Sequence, residues 1–133
     1  MYVDPLGLVL GKSKPKNGWN YGNMPTIDGY QNHHVIPKSK ANHPAVKAAG
    51  FDVNKPSNLI YLPKEEGTHP TRSRHKGWNK QHAAYNRNMG AELDEIAKIG
   101  KANNWTKQQY HDAVHGLSTD TRQDLRKGKI KCH

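Results

Sequence analysis

The sequence predicts one small α+β domain, in which two short strands come before a series of helices. Three observations favour this class: two β-prone runs that each end at a proline, later segments with a helical spacing of apolar residues, and a length of 133 residues. A chain of that length has the usual size of a single domain. Because hydrophobic residues make up only 33% of the chain, we expect a small core.

Two β-prone runs carry the predicted strands. The first covers residues 30–36 and the second covers 59–62, and a proline follows each run, where it cannot donate to a strand ladder. Between them a short helix is predicted over 44–49, because a proline opens this segment and a glycine follows it. The residues before the first strand alternate glycine with proline and have no period. We therefore interpret 1–28 as an irregular lead and 29–133 as the folded domain.

Three further helices are predicted in the second half of the chain. One covers about 78–99, where apolar residues recur on one helical face. Another begins at Thr106, which forms a capping box with Gln109. Ser118 is placed to cap a last helix that ends at Gly128.

Positive charge and histidine gather in the middle of the chain. Lys and Arg exceed Asp and Glu by 21 − 11 = 10, and residues 29–90 carry ten basic against three acidic side chains, a net +7. The same window holds six of the nine histidines, which are His33, His34, His43, His69, His75 and His82. This charge favours a polyanionic partner such as nucleic acid. The single cysteine excludes a disulfide framework, and no apolar run approaches the roughly 20 residues that span a bilayer.

Two adjacent histidines in the first strand are the centre of the predicted chemistry. Side chains of neighbouring strand residues point to opposite faces, so one of His33 and His34 can bind a metal while the other acts as a base. Phosphodiester hydrolysis needs both functions, since a base deprotonates water while a cation neutralises charge on the phosphate. Asn58, just before the second strand, is expected to position the strand or loop that carries the base. The alternative for Asn58 is an ordinary turn residue.

Four segments in this order resemble the AHH family of the HNH/endonuclease VII superfamily. They are NHHVIPK at 32–38, HPAVKAAGFDVN at 43–54, PSNLIYLP at 56–63 and HKGWNKQHAAYN at 75–86. The resemblance implies a ββα-metal core with additional C-terminal helices. It also implies a metal-dependent endonuclease that cleaves DNA, or alternatively RNA, with little sequence preference. In two respects the chain departs from the family: Asn32 replaces the alanine of Ala-His-His, and His75 and His82 lie further apart than in many relatives.

The resemblance also implies a role for each matching residue. His34 is the general base, and Asn58 holds the hairpin that carries it. His33 from the strand and His82 from the helix bind a divalent metal ion, with His75 as a third ligand or a phosphate contact. The residue types leave the ion open among Mg, Zn, Mn and Ni.

A basic loop comes before the helix that carries His82. Its side chains Arg72, Arg74 and Lys76 are predicted to contact nucleic-acid phosphates, which supply most nonspecific affinity. The alternative for the loop is a solvated surface. A second function stays open at this point: a non-catalytic, basic nucleic-acid-binding module with a structural metal site, which would be closed to water.

The start of the chain carries a second resemblance. Residues 2–8, YVDPLGL, are similar to the end of an Rhs-repeat core, whose Asp-Pro-x-Gly-Leu element precedes a variable toxin domain. This similarity implies a secreted effector, of the kind that type VI secretion delivers, acting in the cytoplasm of a target bacterial cell. Such toxins have cognate immunity proteins, and the charge of this chain predicts an acidic one.

Overall fold

The computed structural model describes residues 18–65, 69–73 and 80–129, with the backbone alone for 80–82. Its regular elements are the strands β1 (Tyr30–His34) and β2 (Leu59–Pro63) and the helices α1 (Pro44–Ala49), α2 (Lys80–Ala102) and α3 (Lys107–Arg126). Short 3₁₀ turns cover Lys38–Lys40 and Pro56–Asn58. This is the predicted α+β class, and the two strands and helices are consistent with a ββα-type core.

The two strands pair antiparallel, and different layers cover the two faces of the sheet. In the register, His33 lies opposite Ile60 and His34 lies opposite Leu59. Ile60 belongs to the hydrophobic core, which the helices complete on one face. On the other face, the Tyr61 hydroxyl donates to the backbone carbonyl of Pro25, so the described part of the lead packs there.

Helix α1 forms where the sequence predicts it, because its start and stop signals are local. Its N-cap is His43, whose Nδ1 accepts from the backbone N–H of Ala45 at 3.1 Å. The other ring nitrogen lies 2.6 Å from a carboxylate oxygen of Asp94 on α2. Gly50 ends the helix with φ of 61°, a left-handed conformation that glycine adopts without a steric cost.

The predicted capping box at the start of α3 is confirmed. The Thr106 hydroxyl accepts from the backbone N–H of Gln109, and the Gln109 side-chain oxygen accepts from the backbone N–H of Thr106. The prediction of a separate last helix at Ser118 is wrong, because α3 continues without a break to Arg126. The Ser118 side chain is fully buried and its hydroxyl donates to Asn58, so it makes a tertiary contact in place of a cap.

The hydrophobic core lies between the sheet and the three helices. The spacing predicted for the helix over 78–99 is confirmed, since Met89 and Leu93 of α2 are buried in this core. From α3 the core receives Val114, which is also fully buried. None of the helices in the described ranges is long and apolar enough to cross a membrane.

Candidate active site

Strand β1 presents His33 and His34 to opposite faces of the sheet. His33 faces α2 and is 5% exposed, with its ring edge-on to Tyr85 at a centroid distance of 5.3 Å. His34 is half-buried on the face covered by the lead, where its ring is tilted against Tyr21 at 4.3 Å. The opposite orientation predicted for the pair is therefore present, while the chemical roles of the two rings stay predictions.

A hydrogen bond fixes the orientation of the His34 ring. Its Nε2 lies 2.8 Å from the side-chain oxygen of Asn54. Because an amide oxygen only accepts, the neutral ring donates from Nε2 and leaves Nδ1 as a proton acceptor. Burial lowers the pKa of His34 below its usual value, the bond to Asn54 raises this pKa, and the charge of Lys38 lowers it.

Asn54 is a residue that the sequence analysis missed. It lies in the turn between α1 and β2, and its own backbone is anchored on both sides. Its N–H donates to the Asp52 carboxylate at 2.9 Å, and its carbonyl accepts from the backbone N–H of Tyr21 at 2.9 Å. The only sequence signal is its place in a segment that resembles the family, because nothing local connects residue 54 with residue 34.

Asn58 braces the chain just after His34. The side chain is 0% exposed, and its oxygen accepts from the backbone N–H of Ile36 at 2.8 Å. Its amide group donates to the carbonyls of Ile36 at 3.0 Å and Val53 at 2.9 Å. These contacts end β1 at His34 and fix the direction in which the chain leaves the sheet. Asn58 also ends a 3₁₀ turn, in line with the turn alternative, while its role in positioning His34 stays a prediction.

The predicted metal ligands are described only in part. His75 lies outside the described residues, and for His82 the backbone is placed in the first turn of α2 while the side chain is not described. One turn further along α2, the side-chain oxygen of Asn86 is buried and has no hydrogen-bond partner among the described residues. A buried imidazole at His33 and an unpaired amide oxygen suit a divalent cation. The described side chains nevertheless include no group of three His, Cys, Asp or Glu that could hold a metal.

The basic loop is also described in part. Arg74 and Lys76 lie outside the described residues. Arg72 is partly buried, and its guanidinium donates to the backbone carbonyl of Tyr61 on β2 at 2.8 Å. One N–H of Arg72 thus holds the loop against the sheet. Its predicted phosphate contact is compatible with this bond and stays a prediction.

A pocket of about 420 Å³ opens on the same face of the sheet as His34. Its walls include Tyr21 and Tyr61, together with Asn32 of β1. The side-chain oxygen of Asn32 is buried and has no hydrogen-bond partner within the described part of the chain. The sheet face that carries the proposed base therefore retains a pocket beneath the lead, although His34 does not line it. We call it the open face, and we call the face of His33, which α2 covers, the sealed face.

Comparison with known protein families identifies the family to which this chain belongs. The AHH family, described as a nuclease family of the HNH/ENDO VII superfamily with conserved AHH, matches residues 15–125 of the 133. The chain belongs to the AHH nuclease family. The matched range includes both strands, α1, α2 and all but the last residue of α3. No curated protein and no solved structure matches the chain significantly.

Membership in the AHH family decides between the two functions that the sequence left open. It supports a nuclease, and therefore an enzyme that acts on nucleic acid, over a non-catalytic binding module. The family resemblance of the segments around His33, His34 and Asn58 is confirmed by the match over these residues. The Rhs-like segment at residues 2–8 lies outside both the matched range and the described residues.

Proposed function

We propose that this AHH nuclease is a metal-dependent endonuclease that cleaves DNA with little sequence preference. One observation carries the proposal: His34, at the end of β1, has one ring nitrogen bound to Asn54 and the other left to accept a proton. A base works best when its ring is held in one tautomer and one orientation. The surroundings of His34 meet that requirement.

In the proposed reaction, Nδ1 of His34 takes the proton of the attacking water. Asn54 keeps the ring in the tautomer with a proton on Nε2, and Tyr21 packs against the ring. Asn58 acts as a positioning residue, because its side chain is fully buried and holds the backbone of Ile36, two residues after His34. The base and its support therefore come from β1 and from the residues just before β2.

The metal ligands in this proposal are His33 and His82, with His75 as a third ligand or a phosphate contact. The burial of the His33 side chain on the face covered by α2, next to Tyr85, supports this assignment. The unpaired oxygen of Asn86, one turn after residue 82, adds a donor of a kind that divalent ions accept. A bound divalent cation would neutralise charge on the scissile phosphate and on the leaving oxygen.

The positive charge of the chain supports a polynucleotide substrate that is bound through its phosphates, without recognition of its bases. Residues 29–90 carry a net charge of +7, and phosphate contacts bind any sequence. Arg72, Arg74 and Lys76 are the proposed contacts in the basic loop. Among the described helices none is free to read base edges, since α1 is short and both long helices pack on the core.

Plasmid cleavage tests this function. Supercoiled plasmid is incubated with the protein and Mg²⁺, Mn²⁺, Zn²⁺ or Ni²⁺ in turn, then with a chelator, and an RNA transcript is treated in parallel. We expect nicking with at least one ion, loss of nicking with the chelator, and cut positions spread over the plasmid. His34→Ala should lower the nicking rate about 10²-fold or more. His115→Ala, at an exposed position of α3, is the matched control. Nicking by His34→Ala at the rate of the parent would contradict the proposal.

We further propose that the nuclease is the toxin domain of a secreted antibacterial effector that acts in the cytoplasm of a target cell. The Rhs-like residues 2–8, directly before a nuclease domain, support this role. The net charge of +10 favours an acidic immunity protein as partner. Induced expression in the cytoplasm of a bacterium should stop growth and degrade DNA, whereas His34→Ala should allow growth. Normal growth on expression of the active nuclease would contradict the toxin role.

A further inference from the structure

Three arginines from distant parts of the sequence meet beside β2. Arg122 of α3 donates from Nη1 to the carbonyls of Pro56 at 3.3 Å and Ser57 at 3.1 Å, just before the strand begins. Arg126 follows one turn later in α3. Arg72 reaches the same strand from the loop, through its bond to the carbonyl of Tyr61.

Backbone contacts hold that loop on the end of α3. The N–H of Ser73 donates to the carbonyl of Leu125 at 2.9 Å. Close by, Gly128 has φ of 70°, and a Cβ atom added there would lie 2.5 Å from the carbonyl oxygen of Thr71. The loop therefore depends on a glycine at the end of α3, and residue 72 lies beside the last turns of this helix.

No described carboxylate pairs with the two arginines of α3. Neither Arg122 nor Arg126 forms an ion pair with a described carboxylate, and the Nε atoms of both are buried without a partner among the described residues. Repulsion adds to burial: the pKa of Arg122 is lowered to about 10, first by burial and then by the charges of Arg126 and Arg72. A pKa of about 10 keeps Arg122 charged at neutral pH, beside the two other arginines of the cluster.

The two acidic residues nearest to the cluster along α3 lie on another side of the helix. Asp120 and Asp124 are each two residues from Arg122, which is about 200° around a helix with 3.6 residues per turn. Residues 91–133 carry eight basic and six acidic side chains. Because these charges nearly cancel in number, the net charge of the segment does not reveal the arginine cluster.

We propose that Arg122 and Arg126, with Arg72 beside them, bind neighbouring phosphates, one or two positions apart, on one nucleic-acid strand. This inference rests on the proposed function and adds to it a contact surface on α3, outside the two strands and α2. Positions four apart on a helix are separated by about 6 Å along the axis. A nucleic-acid strand presents a phosphate about every 3.4 Å of helix axis, so the two guanidinium groups can reach phosphates one or two positions apart. Guanidinium forks match phosphate oxygens in geometry as well as in charge.

Salt-dependent binding tests the surface independently of cleavage. All variants are made in the His34→Ala protein, and their affinity for a fluorescent DNA duplex is measured by anisotropy at several NaCl concentrations. Arg126→Gln should lower affinity severalfold and reduce the slope of log K against log salt by about 0.9, as expected for one lost phosphate contact. The Nε atom of Arg126 has no hydrogen-bond partner among the described residues, so this variant should keep the parent's circular dichroism and melting curve.

A second variant and a control complete the test. Arg122→Lys keeps the charge and loses the fork, so it should weaken binding by less than Arg122→Gln. Lys101→Gln removes one charge at the exposed end of α2 and should leave the slope unchanged. Equal slopes for Arg126→Gln and Lys101→Gln would overturn the proposal, whether or not the parent protein cleaves DNA. If Arg126→Gln bound DNA like its parent but bound poly-glutamate more weakly, this result would also overturn the proposal, in favour of an acidic protein ligand.

Discussion

His33 and His34 are neighbours in β1, but the two faces of the sheet that they occupy differ in kind. The face of His33 is sealed: α2 covers it, Tyr85 contacts the ring, and the adjacent Ile60 belongs to the core. On the face of His34, the described part of the lead leaves a pocket of about 420 Å³ whose walls include Tyr21 and Tyr61. A buried imidazole in a fixed place suits a permanent ligand, whereas a half-buried ring suits proton exchange with water. The difference between the faces thus supports the separate roles proposed for the pair, with His33 as metal ligand and His34 as general base.

The largest effect should come from the ring on the open face. His34→Ala should lower plasmid cleavage about 10²-fold or more, as the loss of a general base does. Metal affinity, measured by calorimetry, should stay at the parent's value, whereas His33→Ala should lower it. If both variants lose metal to the same degree, the two faces do not have separate roles.

Replacing Asn58, whose side chain holds the end of β1 in place, should have the largest effect on stability. Asn58→Ala leaves the N–H and the carbonyl of Ile36, the carbonyl of Val53 and the hydroxyl of Ser118 without their partner. Each buried group left unpaired costs about 1–3 kcal/mol, so we expect a loss of about 2 kcal/mol or more in the free energy of unfolding. Urea titration of parent and variant measures it. A loss below about 0.5 kcal/mol would mean that these four bonds do not hold the hairpin.

The hydrogen bond that orients His34 predicts a smaller effect on catalysis. Asn54→Ala should lower kcat about tenfold and leave KM nearly unchanged, because one hydrogen bond of about 1.4 kcal/mol is lost in positioning the base. Asn54→Asp, which keeps an acceptor oxygen, should recover part of the rate. A rise in KM at constant kcat would assign Asn54 to substrate binding and not to positioning the ring.

The smallest predicted effect compares two tyrosines across the sheet. Tyr85→Phe removes the hydrogen bond to the carbonyl of Val35 on the sealed face and should cost about 1 kcal/mol of stability. Tyr21→Phe, on the open face, removes a hydroxyl of a half-exposed ring and should leave the melting temperature unchanged. Equal decreases in the melting temperature of the two variants would mean that the open face is packed as firmly as the sealed face.

Local signals made much of the fold predictable. Proline and glycine at the two ends of α1 set its bounds, and the capping box of Thr106 and Gln109 sets the start of α3. Ser118 misled the prediction because a serine in a helical segment has the pattern of an N-cap, whereas its hydroxyl bonds to Asn58, 60 residues away. No local pattern contains that partner.

The candidate site was predictable where a motif carried it. The segments around His33, His34 and Asn58 match the family, and the structure gives the two rings opposite faces. Asn54 and Arg122 were not predictable, since their partners lie 20 residues away in one case and about 65 in the other. Arg126 was missed together with Arg122, which lies one turn before it in α3. Only the folded chain brings such groups together.

The bond between Ser118 and Asn58 sets a lower limit on the size of an independently folding unit. Asn58 fixes the exit of β1, and its side-chain oxygen needs donors from both Ile36 and α3. A peptide trimmed to the two strands and α2 would lack Ser118, and it would also lack Val114 and Leu125 from the core. Dissection of this nuclease into a minimal strand–strand–helix fragment should therefore yield an unfolded peptide, and α3 belongs to the catalytic unit as much as the paired strands do.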